Sequence, residues 1–332
     1  MEEPSFPQGR APHFAFFRFL RMNSRKKFNL RLRSGKLVLG ERTLVMGVLN
    51  ITPDSFFDGG KFYAEEQAME HAVEMERAGA DLIDVGAEST RPGSQEISGE
   101  AELRRVLPVL GGLRRLLKIP ISIDTQKAEV AEASLDAGAE IINDISGLKN
   151  DPRIAEVAAR RRAPLVLMHM RGEPRTMQKG PFAREVMRDV IAGLRKSVIL
   201  ARKAGVPKSL IILDPGIGFG KSFRQNYELL QKLPQLARLG YPLLVGTSRK
   251  GFLGATLARD GQPAPPEERI WGTAAAVTAS ILNGGHIVRV HDVSEMVQVA
   301  RVADCLLDPK RRLKNETRRY LRAGCQRYVP SV

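Results

Sequence analysis

Apolar residues fall along this chain in eight short runs separated by longer stretches of helical period. The runs occupy 44–49, 82–85, 119–123, 141–142, 165–168, 210–213, 243–245 and 287–290. Most are almost wholly apolar, as strands covered on both faces are. Between them, 64–78, 127–137, 182–203 and 227–239 place apolar residues three and four apart, which predicts helices. Ala78-Gly79 and Ala137-Gly138 stand where such helices stop, because glycine accepts the left-handed backbone that ends a helix. Eight strand–helix units in one chain predict an α/β fold, a closed (β/α)8 TIM barrel of a single domain. A doubly wound open sheet is the competing fold, but it normally uses fewer strands. The stretch 260–266, with three prolines, reads as a surface loop.

Composition adds a boundary to this picture. Hydrophobic residues make up 43% of 332, enough for a large core, and aromatics only 6%, so that core rests on Val, Ile, Leu and Ala. The net charge of +15 suggests an acidic partner until its distribution is read. Residues 1–43 hold ten Lys/Arg against three acids, and 305–332 hold eight against two. The middle is nearly neutral, which makes nucleic acid an unlikely partner for the main body. The expected organisation is a basic N-terminal extension over 1–43, a barrel over 44–304 and a basic C-terminal tail over 305–332.

Cys305 and Cys325 lie far apart without metal-ligand spacing, which fits a reducing compartment. No apolar run approaches the ~20 residues of a membrane span, and the stretch 13–20 is broken by Arg18. The Arg-rich start admits a transit peptide, which Glu2 and Glu3 weaken, or a later translation start at Met22.

Polar residues follow the apolar runs with regularity: Asn50 and Asp54 after the first, Glu88 to Gly93 after the second, then Asp124, Asn143-Asp144, His169 and Asp214. Ser248, Arg249 and Lys250 follow the seventh, and Arg289 and His291 mark the eighth. In a barrel the C-terminal ends of all strands converge on one face, where active sites form. A single Asp after a strand is ordinarily a turn or cap residue. Caps alone do not call for Asn, Lys, Arg and His as well. Asp124, Asn143 and Asp214 suit a planar ring with a guanidine-like edge of donors, and Arg91, Arg289 and His291 suit phosphate oxygens. Asn50 offers a neutral oxygen to a hard cation such as Mg²⁺. The segment Gly220-Lys221-Ser222 imitates the end of a nucleotide-binding P-loop, but that motif needs glycine where Pro215 stands. The glycines 216, 218 and 220 then read as positions where backbone passes close beneath a ligand.

The stretches MGVLNITPDSFFDGG (46–60), ESTRPG (88–93), SIDT (122–125), INDI (142–145), LMHM (167–170), LDPGIGFGK (213–221), GTSRKGFLG (246–254) and RVHD (289–292) resemble, in order, the motifs of the dihydropteroate synthase family. The resemblance covers about 44–304. It implies condensation of 6-hydroxymethyl-7,8-dihydropterin diphosphate with 4-aminobenzoate, giving 7,8-dihydropteroate and pyrophosphate. It further implies that Asp124, Asn143, Asp214 and Lys250 bind the pterin ring, with Met168 and Phe219 lining its pocket. Asn50 would ligate Mg²⁺, and Arg289 and His291 would hold the diphosphate. Thr90, Arg91 and Pro92 would form a loop closing over the site, and Phe56 and Ser248 would receive 4-aminobenzoate. A cytoplasmic homodimer is the family expectation. One departure is Phe57, where the family commonly has Ser before Asp-Gly-Gly.

Plainer readings stand beside these. Asp84 is expected to be a buried structural carboxylate, Glu88 to orient the second loop, and Asp144 to cap the next helix. His169 reads equally as a core histidine, while His71 and His286 read as ordinary helix or turn residues. Competing functions are another pterin-binding barrel of the methyltetrahydrofolate methyltransferase kind, and a paralogue that binds without turnover. The TPDSF and STRPG loops argue against the first, and retention of Asn50, Arg91, Lys250 and His291 against the second.

Overall fold

The structure, a computed structural model, describes residues 25–51, 60–88, 97–172, 177, 180 and 182–309, with side chains from 65 onward in the second of these segments. Eight parallel strands form one sheet: β3 (Leu44–Asn50), β4 (Leu82–Gly86), β5 (Ile121–Asp124), β6 (Ile141–Asp144), β7 (Leu165–Met168), β8 (Ile211–Asp214), β9 (Leu244–Val245) and β10 (Ile287–Val290). Their order is β8-β7-β6-β5-β4-β3-β10-β9, and a parallel bridge between Leu213 and Leu243 joins β8 to β9 and closes the ring. Helices α1 (Gly60–Arg77), α2 (Gly99–Leu116), α3 (Ala128–Ala137), α4 (Arg153–Arg161), α5 (Val186–Lys203), α6 (Phe223–Ala237), α7 (Gly251–Thr256), α8 (Ile270–Leu282) and α9 (Val293–Leu307) follow the strands in turn. This is the expected TIM barrel, with every strand within two residues of its apolar run at the N-terminal end.

Three helix starts differ from the periodic reading, and α1 begins at Gly60 rather than 64. Helix α6 begins at Phe223 rather than 227, because Ser222 and Gln225 close a capping box: Ser222 Oγ accepts from Gln225 N–H and the Gln225 side chain accepts from Ser222 N–H. Helix α5 begins at Val186 rather than 182.

The domain boundary at 43 needs correction. An antiparallel hairpin, β1 (Phe28–Arg31) and β2 (Lys36–Leu39), precedes the barrel and buries Leu30 and Leu39 completely against it. Burying each leucine contributes about 1.5–3 kcal/mol. Arg25 donates to Thr43 Oγ1 at 2.6 Å and to Gly285 O at 2.7 Å, and is ion-paired with Asp304 of α9. His286 Nδ1 accepts from Leu243 N–H at 3.1 Å, so its proton sits on Nε2 and points at Lys26 O, 3.0 Å away. His286 is therefore a buried tie rather than an ordinary turn residue; burial and the nearby Arg25 hold its pKa down to about 4. Thr43, Glu140 and His286 all precede strands, so the hairpin caps the end of the barrel opposite the strand C-termini, the end whose residues serve stability. The barrel unit therefore begins by residue 25, and a chain cut inside the hairpin would strip β1 from a packed surface. At the other end α9 runs to Leu307, past the expected boundary at 305.

Candidate active site

Strand register sets the site. Asn50 pairs with Gly86, Gly86 with Asp124 and Asp124 with Asn143, placing these four strand ends in one row. Gly86 contributes no side chain, and a Cβ there would lie 3.4 Å from that of Asp124, so the row opens between Asn50 and Asp124. Around this mouth most strand-end side chains are buried. Asn50, Asp124, Lys250, Arg289 and His291 are the half-buried ones, within reach of a ligand.

Below them lies a charged floor. Asp84, fully buried in β4, accepts on one oxygen from Asn143 Nδ2 at 2.9 Å and from Arg289 Nε at 2.6 Å. Arg289 Nη2 reaches Asp124 Oδ2 at 2.8 Å. Asp84 is thus the structural carboxylate expected of it, and what it supports is now explicit. Because Nδ2 of Asn143 is held by Asp84, its Oδ1 is the atom left to accept from a ring donor. Arg289 engages two carboxylates through Nε and Nη2, and Nη1 takes part in neither bond.

Burial pushes the Asp124 carboxyl up to about 7, with Arg289 opposing and Asp84 adding to the rise. Asp214, at the end of β8, is pushed up to about 6 by burial, while the Gly216 N–H it accepts at 2.7 Å opposes the shift. Lys250 is drawn down to about 8, by burial first and then by Arg289. Carboxylates raised in this way gain from any ligand that brings N–H donors, because hydrogen bonds to the charged form favour it.

Lys250 follows Arg249, a non-glycine residue at φ 57°, and opens α7. That left-handed turn costs on the order of 1–3 kcal/mol. Three contacts hold it: an ion pair from Arg249 to Asp292, Arg249 N–H to Thr273 Oγ1 at 3.1 Å, and Arg269 Nη1 to Arg249 O at 2.8 Å. The Lys250 ammonium stands 4.2 Å from the centre of the Phe219 ring. Phe219 belongs to a small apolar cluster separate from the main core, with Ile145, Met168, Met170 and Met177. Met168 and Phe219 thus pack together outside the main barrel core. Met170 and Met177 were missed, although the two-residue spacing of Met168 and Met170 signals a shared face.

His291 is placed by Ser248. Ser248 Oγ accepts from His291 backbone N–H at 3.1 Å and lies 3.0 Å from His291 Nδ1. Burial and the neighbouring Arg289 depress the imidazole pKa to about 3, so the ring is neutral at pH 7. Ser248 itself is buried, with its hydroxyl against His291.

Phe56, Thr90, Arg91 and Pro92, with Phe57 and Arg91's neighbours, lie outside the described residues. The foot of the second loop is described. Lys127 bridges Glu88 at 2.6 Å and buried Glu102 at 2.7 Å, Ile97 N–H donates to Glu88 at 3.4 Å, and Arg105 donates to Ala87 O at 3.0 Å. Glu88 is thus held by Lys127 and Ile97 N–H, while the loop it was expected to orient lies outside the described residues. Asp144 accepts from the backbone and side chain of Ser146 and from Leu148 N–H, a turn cap rather than a ligand group. His169 is buried between Lys221 and Asp189, a core histidine with its pKa drawn down to about 2 by burial.

A TIM barrel whose strand ends carry acceptors for a donor-edged ring, an apolar wall and a cationic flank defines an enzyme for flat heterocycles bearing an anionic chain. Residues 46–291 match the family model described as pterin binding enzyme. The chain is 51% identical over 267 residues to a dihydropteroate synthase of Synechocystis sp., spanning 80% of this chain and 91% of that one. A solved dihydropteroate synthase from Clostridium difficile, crystallised in the presence of pteroic acid, aligns with TM-score 0.75 and 44% identity over 81% of this chain and 98% of the other. One from Xanthomonas albilineans with 4-aminobenzoic acid aligns with TM-score 0.78 and 39% identity, covering 85% and 99%. The chain belongs to the pterin binding enzymes and, among them, to the dihydropteroate synthases, transferases of folate biosynthesis.

Proposed function

We propose that this enzyme joins 6-hydroxymethyl-7,8-dihydropterin diphosphate to 4-aminobenzoate with pyrophosphate leaving before the amine attacks. The observation that carries this reading is the Asp84–Arg289–Asp124 cluster, which sets an anionic carboxylate and a cationic guanidinium side by side at the mouth. Asp124, Asn143 Oδ1 and Asp214 take the ring donors, and Lys250 lies over Phe219 at the ring's edge. The methylene C–O bond breaks with its electron pair going to pyrophosphate. Arg289 Nη1 and the His291 ring N–H stabilise the charge that develops there. The methylene left behind carries positive charge, which the Asp124 carboxylate favours. The amine lone pair then forms the C–N bond and one N–H proton is released. No covalent enzyme intermediate is needed.

Asn50 is the residue to hold Mg²⁺. Among the described residues there is no group of three or more His, Cys, Asp or Glu to cage a metal. A single neutral amide oxygen beside an open row fits a cation otherwise held by phosphate oxygens and water. When bound, Mg²⁺ neutralises diphosphate charge.

Titration of 4-aminobenzoate tests the order of events. With pterin, pyrophosphate and Mg²⁺ present, the loops at 50–60 and 88–95 close and 4-aminobenzoate binds. On the free enzyme its affinity is at least about tenfold weaker. Equal affinity in both states removes loop closure from this mechanism.

The enzyme also works as a homodimer in the cytoplasm, where a free Cys305 thiol persists. Trp271 is 79% exposed on α8, and Phe223 and Tyr227 of α6 and Leu257 after α7 are exposed as well. Tyr227 OH lies 2.6 Å from Thr256 Oγ1, tying α6 to α7, and these exposed apolar side chains are the surface we assign to the partner. Sedimentation equilibrium of Trp271→Glu yields monomers on this reading, and an unchanged dimer moves the interface elsewhere.

A further inference from the structure

The segment 216–221, set aside above as a P-loop imitation, has a different task. Lys221 is the largest side chain buried to 1% exposure, an unusual state for a lysine. Burial draws the Lys221 pKa down to about 7. In its charged form the ammonium has three protons and meets three acceptors: His169 O at 2.8 Å, His169 Nδ1 at 3.0 Å and Phe219 O at 3.0 Å. With the lysine charged, the set closes only if His169 Nδ1 is unprotonated. That places the imidazole proton on Nε2, which faces Asp189 Oδ2 at 3.5 Å. The acceptors belong to two loops, the one after β7 and the one after β8.

The glycines complete the join. Gly216 and Gly220 both have φ 66°, and a Cβ on either would run into a carbonyl oxygen, that of His169 and that of Arg171. The backbone of the β8 loop is therefore pressed onto the backbone of the β7 loop, rather than beneath a ligand as expected for these two glycines. Gly218, at φ 86°, instead faces the Lys250 side chain, 3.1 Å from where its Cβ would stand. Ser222 then caps α6. Gly216, Gly220 and Lys221 thus serve the joint between the two loops, and on the β8 loop they hold stands Phe219, whose ring supports Lys250.

We propose that Lys221 is a positioning residue for the pterin half of the reaction: its ammonium clamps the loops after β7 and β8 together and so fixes Phe219, the apolar wall and the Lys250 ammonium resting on it. This rests on the reading of the site as pterin-binding. Lys221 touches no substrate. It acts through Phe219 O and through the backbone of His169, which lies between Met168 and Met170 of the wall. Replacement by methionine keeps the length and apolar stem while removing all three donors. The loops can then part by a few tenths of an ångström, enough to weaken a ring stacked against Phe219 while the opposite side of the barrel mouth is unaffected.

The test is binding of 6-hydroxymethyl-7,8-dihydropterin by calorimetry, together with KM for each substrate, in the full-length wild type, Lys221→Met and Gly220→Ala. The clamp predicts a loss of pterin affinity of about tenfold or more in both variants. It also predicts a matching rise in KM for the pterin diphosphate and a change in KM for 4-aminobenzoate of less than about threefold. Gly220→Ala forces the loops apart with Lys221 intact, so it stands alone if Lys221→Met does not fold. Wild-type histidine ¹⁵N shifts need no variant: His169 should show an unprotonated Nδ1 and a protonated Nε2. A folded variant that binds the pterin as wild type does, an equal rise in both KM values, or a protonated His169 Nδ1 would each overturn the clamp. Failure of the wild type itself to bind the pterin would instead overturn the site reading.

Discussion

Replacing Arg289 by methionine should lower kcat/KM by about three orders of magnitude, the largest effect expected of any single change in this site. Two losses combine. The guanidinium nitrogen free to meet the diphosphate disappears. In addition, Asp84 and Asp124 lose their shared cation, and a buried charge left without its partner is strongly unfavourable. Arg289 is what opposes the rise of the Asp124 pKa, already about 7, so its removal moves that value higher still. A carboxyl with a raised pKa is neutral below that value and ionised above it. The acid limb of the pH–rate profile should therefore shift to higher pH in the variant, and activity should recover partly, never fully, as pH rises. Steady-state assays from pH 6 to 9 read both quantities, after circular dichroism has confirmed that the variant is folded. A large loss with an unshifted acid limb would show that Arg289 serves the diphosphate alone and leaves Asp124 unaffected.

Asp214→Asn should cost about 2–4 kcal/mol of pterin affinity, the loss expected when a charge-assisted contact is replaced by a mismatch. The direction of the mismatch follows from the neighbour. Gly216 N–H needs an acceptor and takes Oδ1 of residue 214 at 2.7 Å, so an asparagine would keep its oxygen there and turn its NH₂ toward the ring. Donor would face donor. The wild-type pH dependence follows the same group. With a pKa of about 6, the Asp214 carboxylate is ionised above that value, so ring affinity is fully present above it and falls as pH drops through it. The variant should lack this inflection while keeping the one from Asp124. Calorimetry across pH 5–8 measures both, and undiminished affinity would take Asp214 out of the site.

The barrel was legible because parallel strands buried on both faces leave continuous apolar runs, and all eight runs became strands. The strand-end positions of Asp124, Asn143, Asp214 and Arg289 were legible for the same reason: once a strand's end is known, so is the face on which its last residue lies. What the runs could not show is which strand-end groups point at a ligand and which at each other. Asp84 reads as a plain buried carboxylate in the sequence, yet it holds both Asn143 and Arg289, a relation between β4, β6 and β10 that no local pattern encodes. Nor does any local pattern show that the neighbouring strand brings His291 onto the Ser248 hydroxyl. Lys221 was hidden by the opposite error, a local motif matched against a nucleotide-binding loop when two of its three acceptors belong to His169, 52 residues earlier in the chain. The hairpin at 28–39 did carry a signal, alternating apolar residues about Ser34-Gly35, but the strong basic charge of that region drew the reading toward a solvated tail.

The account stands on the claim that the strand-end cluster converts two small molecules into one while releasing pyrophosphate. Its most direct test follows pyrophosphate and 7,8-dihydropteroate together, using the full chain with pterin diphosphate and Mg²⁺, in the presence and absence of 4-aminobenzoate. The account predicts one pyrophosphate per dihydropteroate and sustained turnover only when 4-aminobenzoate is present. Folded enzyme that binds the pterin yet forms no dihydropteroate under these conditions would contradict it.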